Sequence, residues 1–219
     1  MLHLRWRLHL FVSLFVTSLI LAASQQDPQK QPSPSPSEDA PASIGLLLDN
    51  SGSMAGKQNA AVGALQELVK ASNPKDEFFV VNFNDEPYLD VDFTSDSKLV
   101  FEALGRADAR SGTSINDTVM AAADHLAKGA KYKKREIVLL TDGIDNISHA
   151  SAKDMLKELH KPGMPAVYCI LLSGSGKAAK AHKALDLLAQ ETGGKTFYPG
   201  NEVQLNELAR QIAQEIRNR

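Results

Sequence analysis

The stretches "GLLL", "IVLL" and "VYCILL" constrain the fold of this chain more than any other feature. A strand with one wet face alternates apolar and polar residues, whereas a strand covered on both faces is apolar throughout. These three are apolar throughout. Segments with helical spacing separate them. "AGKQNAAVGALQELVKA" places Ala61, Leu65, Leu68 and Val69 on one face, and "SAKDMLKELHKPG" is stopped by Pro162 and Gly163. "FFVVNF" and the short "KTFYPG" add two strands. "PYLDVDF" alternates like an edge strand and opens on Pro87. Further helices are predicted over "SDSKLVFEALGRA", with Ser95 as its cap, and over "SINDTVMAAADHLAKGA", ending near Gly129. "KALDLLAQETGG" and "EVQLNELARQIAQEIRNR" complete the set, the latter with Leu205, Leu208, Ile212 and Ile216 apolar. Strands that alternate with helices need crossover connections. The expected fold is α/β: a doubly wound, mostly parallel sheet with helices on both faces and one short antiparallel edge strand.

This pattern begins only near Ser43. Residues 1–24 read as a signal peptide: Arg5 and Arg7, the uncharged "LFVSLFVTSLILAA", then the small Ala22 and Ser24. The uncharged core is short of the roughly 20 residues of a membrane span. Cleavage near Ser24 is therefore expected, leaving no span in the mature chain and a secreted or periplasmic protein. No cysteine follows the core, which excludes a lipid-anchored lipoprotein. Residues 25–42 are rich in Pro, Ser and Gln without a large apolar side chain, and are expected to form a disordered linker. Residues 43–219 form the folded domain. The formal net charge of -2 provides no global attraction to nucleic acid or anionic membrane. A single cysteine, Cys169, excludes an internal disulfide framework and a cysteine-rich zinc site.

In sheets of this kind, ligands bind outside the carboxyl ends of the strands. Found there are Asp49-Asn50-Ser51-Gly52-Ser53, Asn82, Asn84, Asp142-Gly143 and Ser173-Gly174. One reading of "LLLDNSGSMAGK" is a phosphate loop. Its Gly56-Lys57 pair follows Gly52 one residue too soon, and Gln58 stands where a hydroxyl is needed. "SGSGKAAK" fails in the same way. A nucleophile elbow needs G-x-S-x-G, which "DNSGS" is not. His125, His149, His160 and His182 fall on predicted helices or their starts. An aspartyl phosphotransfer site would carry a second Asp where Ser51 stands. The remaining reading is a cradle for a hard metal ion. Asp49, Ser51 and Ser53 alternate, so an extended turn lets their side chains converge. Carboxylates and hydroxyls suit magnesium, whereas zinc or copper would call for His or Cys. Thr113 in "RSGTSIND" and Asp142 in "LLTDG" offer further oxygens from other loops.

The D-x-S-x-S run after the first strand, the Gly112-Thr113 loop and Thr141-Asp142-Gly143 after the fourth strand together resemble the von Willebrand factor type A family. The resemblance covers Ser43 to about Arg217. "LLLDNSGSM", "VVNFND" and "LTDG" are most similar to bacterial secreted members. It implies a metal-ion-dependent adhesion site. Asp49, Ser51 and Ser53 would be its first-loop group, with both hydroxyls on the metal. Thr113 would be the second-loop ligand, direct or through water, and Asp142 the third-loop acid, often acting through a water. Asn116 and Asp117 would support rather than ligate. The implied ion is Mg2+, with Mn2+ or Ca2+ accepted by the same oxygens. The implied partner is a protein whose Asp or Glu carboxylate completes the coordination, with no catalysis. The last helix, Leu205 to Ile216, would respond to ligation. Two other readings stay open: a scaffold with a vestigial site, and a secreted metal-dependent hydrolase.

Overall fold

A computed structural model describes residues 40–106, 112–172 and 178–219. The expected signal peptide, the linker up to residue 39, Ser173-Gly174 and the second Gly-Lys pair, Gly176-Lys177, lie outside the described residues. Among the described residues six strands form one sheet: β1 (Ala42–Asp49), β2 (Glu77–Phe83), β3 (Pro87–Thr94), β4 (Lys134–Thr141), β5 (Ala166–Leu171) and β6 (Thr196–Phe197). Their spatial order is β3-β2-β1-β4-β5-β6, with only the β2–β3 pairing antiparallel. The apolar runs sit where their composition requires. β1, flanked by β2 and β4, is buried along its whole length.

Among the described residues six helices cover the sheet: α1 (Gln58–Ala71), α2 (Ser97–Leu104), α3 (Ile115–Gly129), α4 (Ala152–Leu159), α5 (Ala178–Thr192) and α6 (Glu202–Asn218). Alternate residues of the central strands point to opposite faces, and this divides the core in two. Ile44, Leu46 and Leu48 of β1 pack with Leu65 and Leu68 of α1, Val100 of α2, and Leu205 and Ile212 of α6. Leu47 of β1 packs instead with Val119 and Leu126 of α3, Met155 of α4 and Leu185 of α5. The doubly wound α/β architecture expected from the sequence is the one observed.

Some boundaries differ from the sequence expectation. The sheet starts at Ala42, whose N–H donates to Asp76 Oδ1 at 2.7 Å, so the last expected linker residue belongs to β1. The cap of α2 is Asp96 rather than Ser95: the Asp96 carboxylate accepts from Lys98 N at 2.9 Å. Both residue types cap well, and the acid, one residue later, takes the position. The helix after β1 begins at Gln58, because a 3-10 turn, Gly52–Met54, comes first and buries Met54. α5 begins at Ala178, five residues before the expected Lys183. Ser151 and Asn201 cap α4 and α6 through Asp154 N and Gln204 N.

Candidate metal centre

In this sheet, connections leave β1 toward β2 on one side and return to β4 on the other. The crevice at such a reversal is where open α/β sheets bind ligands. Asp49 ends β1, and Asp142 directly follows Thr141, the last residue of β4. The two candidate acids therefore sit side by side across the reversal, although 93 positions separate them in the chain.

The loop after Asp49 is built by its own side chain. Asp49 Oδ1 accepts from Ser51 N at 2.8 Å, which curls the chain so that Ser51 and Ser53 turn toward β4. Ser51 Oγ lies 3.3 Å from Ser53 Oγ, and Ser53 Oγ donates to Asp142 Oδ1 at 2.7 Å. Ser51, Ser53 and Asp142 thus form one continuous chain of oxygen contacts, which Asp49 joins through the Ser51 N–H. Asp49 lies at its base, fully buried, with Oδ2 accepting from Thr141 Oγ1. Burial pushes the Asp49 carboxyl above its ordinary pKa, the hydroxyl and N–H donors of Thr141 and Ser51 pull it back, and the nearby Asp142 charge raises it further. Among the described residues Asp49 makes no ion pair.

Thr113 is placed differently. It is buried at the entry to α3, and its backbone is locked to the loop after β4: Thr113 N donates to Asn146 Oδ1 at 3.0 Å, and Asn146 N donates to Thr113 O at 3.1 Å. No hydrogen bond joins its hydroxyl to the other four residues. The same region is held by Asn84, whose carbonyl accepts from Ser114 N at 2.8 Å and Ser114 Oγ at 2.9 Å. Asn116 N donates to Asp145 Oδ2 at 2.8 Å, and the Asp117 carboxylate accepts from His149 N and Ala150 N at 2.8 and 2.9 Å. Asn116 and Asp117 therefore act as clamps on the β4–α4 loop. Asn82, the other strand-end candidate, is spent on structure, donating to Asp90 Oδ2 and Ala103 O at 2.6 and 2.9 Å.

Two contributors are not evident from the sequence. Thr141 stands there only as part of a motif, yet its hydroxyl holds Asp49 and accepts from Gly143 N at 3.2 Å. Lys57 enters there only within the phosphate-loop pattern that the spacing excludes. Its ammonium pairs with Asp142 Oδ2 and reaches Ser53 O at 3.4 Å. The described histidines stay apart from this cluster. His125 stacks on Phe93 at 4.7 Å, His149 pairs with Asp117, His160 with Glu191, and His182 stacks on Tyr198.

The donor set fits a hard divalent cation. It contains oxygen alone, it brings together two mutually repelling carboxylates, and one of these is a buried acid with no cationic partner.

Residues 44–144 match the profile of the von Willebrand factor type A domain. These residues belong to that family. They span β1 to the first residues after β4, and so contain the candidate donors from all three loops. No curated protein matches the chain. Solved structures extend the likeness to most of the domain. A von Willebrand factor type A protein from Catenulispora acidiphila superposes with a TM-score of 0.68 at 18% identity, covering 81% of this chain and 43% of that one. This chain thus spans less than half of that structure. The von Willebrand factor domain of the type V pilus tip protein Mfa5 from Porphyromonas gingivalis gives 0.63 at 14% identity, covering 81% and 97%. An aerotolerance-related membrane protein from Bacteroides fragilis gives 0.63 at 18%, covering 80% and 98%. At these identities the likeness establishes the type A fold, here in bacterial proteins that include a pilus tip component. Among the described residues no helix is long and apolar enough to cross a membrane.

Proposed function

We propose that this type A domain is a secreted or periplasmic protein-binding module, and that its binding surface centres on a divalent cation. Asp49, Ser51, Ser53, Thr113 and Asp142 would hold the ion, Mg2+ by preference with Mn2+ or Ca2+ as alternatives. The observation that carries this reading is the contact chain from Ser51 through Ser53 to Asp142, which joins the ends of β1 and β4 above the buried Asp49. When bound, the ion supplies a positive centre on which an Asp or Glu carboxylate of a partner protein can dock. The chain's own residues set up that surface. Asp49 shapes the loop, the serines present hydroxyls rather than further charge, and the Asn146 clamp brings the Thr113 loop against the loop that follows Asp142.

We read the site as non-catalytic. The described histidines are engaged in packing or ion pairs elsewhere, which leaves the serines without an imidazole base. The presence of the fold in a pilus tip protein is consistent with an adhesive role outside the cytoplasm. The test is thermal unfolding of chelator-stripped protein with added Mg2+, Mn2+ or Ca2+, beside Asp49→Ala and Ser51→Ala. At ten times its dissociation constant an ion stabilises by about 1.4 kcal/mol. The shift should appear in the native protein and vanish in both variants. An equal response in all three would refute the assignment.

A further inference from the structure

We propose that Lys57 is a tethered cation seated on the Asp142 carboxylate, and that it must leave that carboxylate when a divalent ion is taken up. This rests on the metal reading above and adds to it a competitor that the domain carries in its own chain. Both oxygens of Asp142 are engaged by internal donors. Oδ1 accepts from Ser53 Oγ at 2.7 Å, and Oδ2 pairs with the Lys57 ammonium. The Asp142 side chain is only 2% exposed, so it has little access to water for a further partner. Lys57 also reaches the Ser53 carbonyl at 3.4 Å, and so touches two of the five candidate donor residues.

An ammonium is a donor with no acceptor capacity, and it takes the oxygen lone pairs that a hard cation needs. The two compete for one carboxylate. The electrostatics add to this competition. Two acids, Asp49 and Asp142, face the site, and Lys57 cancels half of the negative charge that would draw in a divalent ion. The lysine is also able to leave. Its side chain is 30% exposed and lies just before the first residue of α1, on a flexible four-carbon stem whose head hydrates strongly. Metal uptake is therefore an exchange of one cation for another. Without a divalent ion, the lysine holds the β1 and β4 loops together across two like charges.

The sign of the effect separates this role from a merely structural one. Loss of a structural lysine would loosen the site and weaken metal binding, whereas loss of a competitor tightens it. Calorimetric titration of chelator-stripped protein with Mg2+ and Mn2+ would compare the native protein with Lys57→Met and Lys57→Gln, each checked for folding by circular dichroism. We expect both variants to bind about fivefold more tightly, the factor equivalent to ~1 kcal/mol at the upper end of partly exposed ion pairs. In the absence of metal, we expect them to melt at a lower temperature than the native protein. Uptake by the variants alone would support the exchange still more strongly. Native binding with equal or weaker affinity in a folded variant overturns the lysine proposal and leaves the metal reading standing. No binding heat in any of the three proteins overturns both.

Discussion

Glu136 lies in β4 near the end remote from the candidate site, 2% exposed, with Arg219 Nη1 3.5 Å from its carboxylate. Burial raises its carboxyl from 4.5 to about 7, although Arg219 and Lys134 both act to lower it. The folded protein therefore holds this proton more tightly than the unfolded chain does. That contribution to stability is complete below pH 4.5 and is lost as pH rises through about 7. At about 1.4 kcal/mol per pH unit, the loss comes to roughly 3 kcal/mol. Glu136→Gln keeps the shape and removes the titration. Urea unfolding of both proteins at intervals from pH 4.5 to 7.5 would measure the difference between them, and this cancels the other titrating groups. The difference should grow in favour of the glutamine variant by about 3 kcal/mol across the range and level off above pH 7. A difference that stays flat would refute the buried-acid argument. Six residues of strand, about 20 Å, separate Glu136 from Asp142, so divalent-ion binding should be the same in both proteins.

Three further substitutions or probes test the packing. A Cβ on Gly45 would lie 2.4 Å from Cζ of the Phe79 ring, so Gly45→Ala should lower stability by about 1–3 kcal/mol in denaturant unfolding. Gly63, inside α1, has open space where a Cβ would go, and Gly63→Ala should raise stability by about 0.5–1 kcal/mol in the same assay. Burial pushes the Cys169 thiol far above its usual range, so a disulfide reagent should label it only once the protein is unfolded. Rapid labelling of the native protein would contradict its placement in β5.

The residues legible in advance are those whose environment follows from local pattern. "GLLL" and "IVLL" are apolar on both faces because helices cover both faces, and that alone implies crossovers and a ligand crevice at the strand ends. Asp49 is visible because it stands directly beyond such a run, and Asp142 because it lies two residues beyond one, in Thr-Asp-Gly. What escapes depends on distance in three dimensions. The Lys57–Asp142 pair links positions 85 residues apart and depends on how the 3-10 turn at Gly52–Met54 rotates the start of α1. The choice between Ser95 and Asp96 as cap is decided by one residue of backbone geometry, which two adjacent cap-forming residues leave undetermined. The early start of α5 is hidden because "GSGK" reads as loop, whereas "AAKAH" beyond it continues the helix.

The register of β1 has a mechanical consequence. Ala42 pairs with Lys134 at one end of the sheet, and the same lysine donates to Arg217 O of α6 at 3.0 Å, while Asp49 lies at the opposite end. The chain thus enters the domain about 23 Å of strand away from the candidate contact surface. A pull between a partner held at Asp49 and the residues before Ala42 would run along the axis of β1. That strand is registered with β2 from Ser43 to Asp49 and with β4 from Ala42 to Leu48. Drawing it out would load both ladders together and in shear, so their hydrogen bonds would have to slip as a group rather than open one by one. The strand that presents the candidate metal ligands is thereby also the strand best placed to carry a tensile load through the domain.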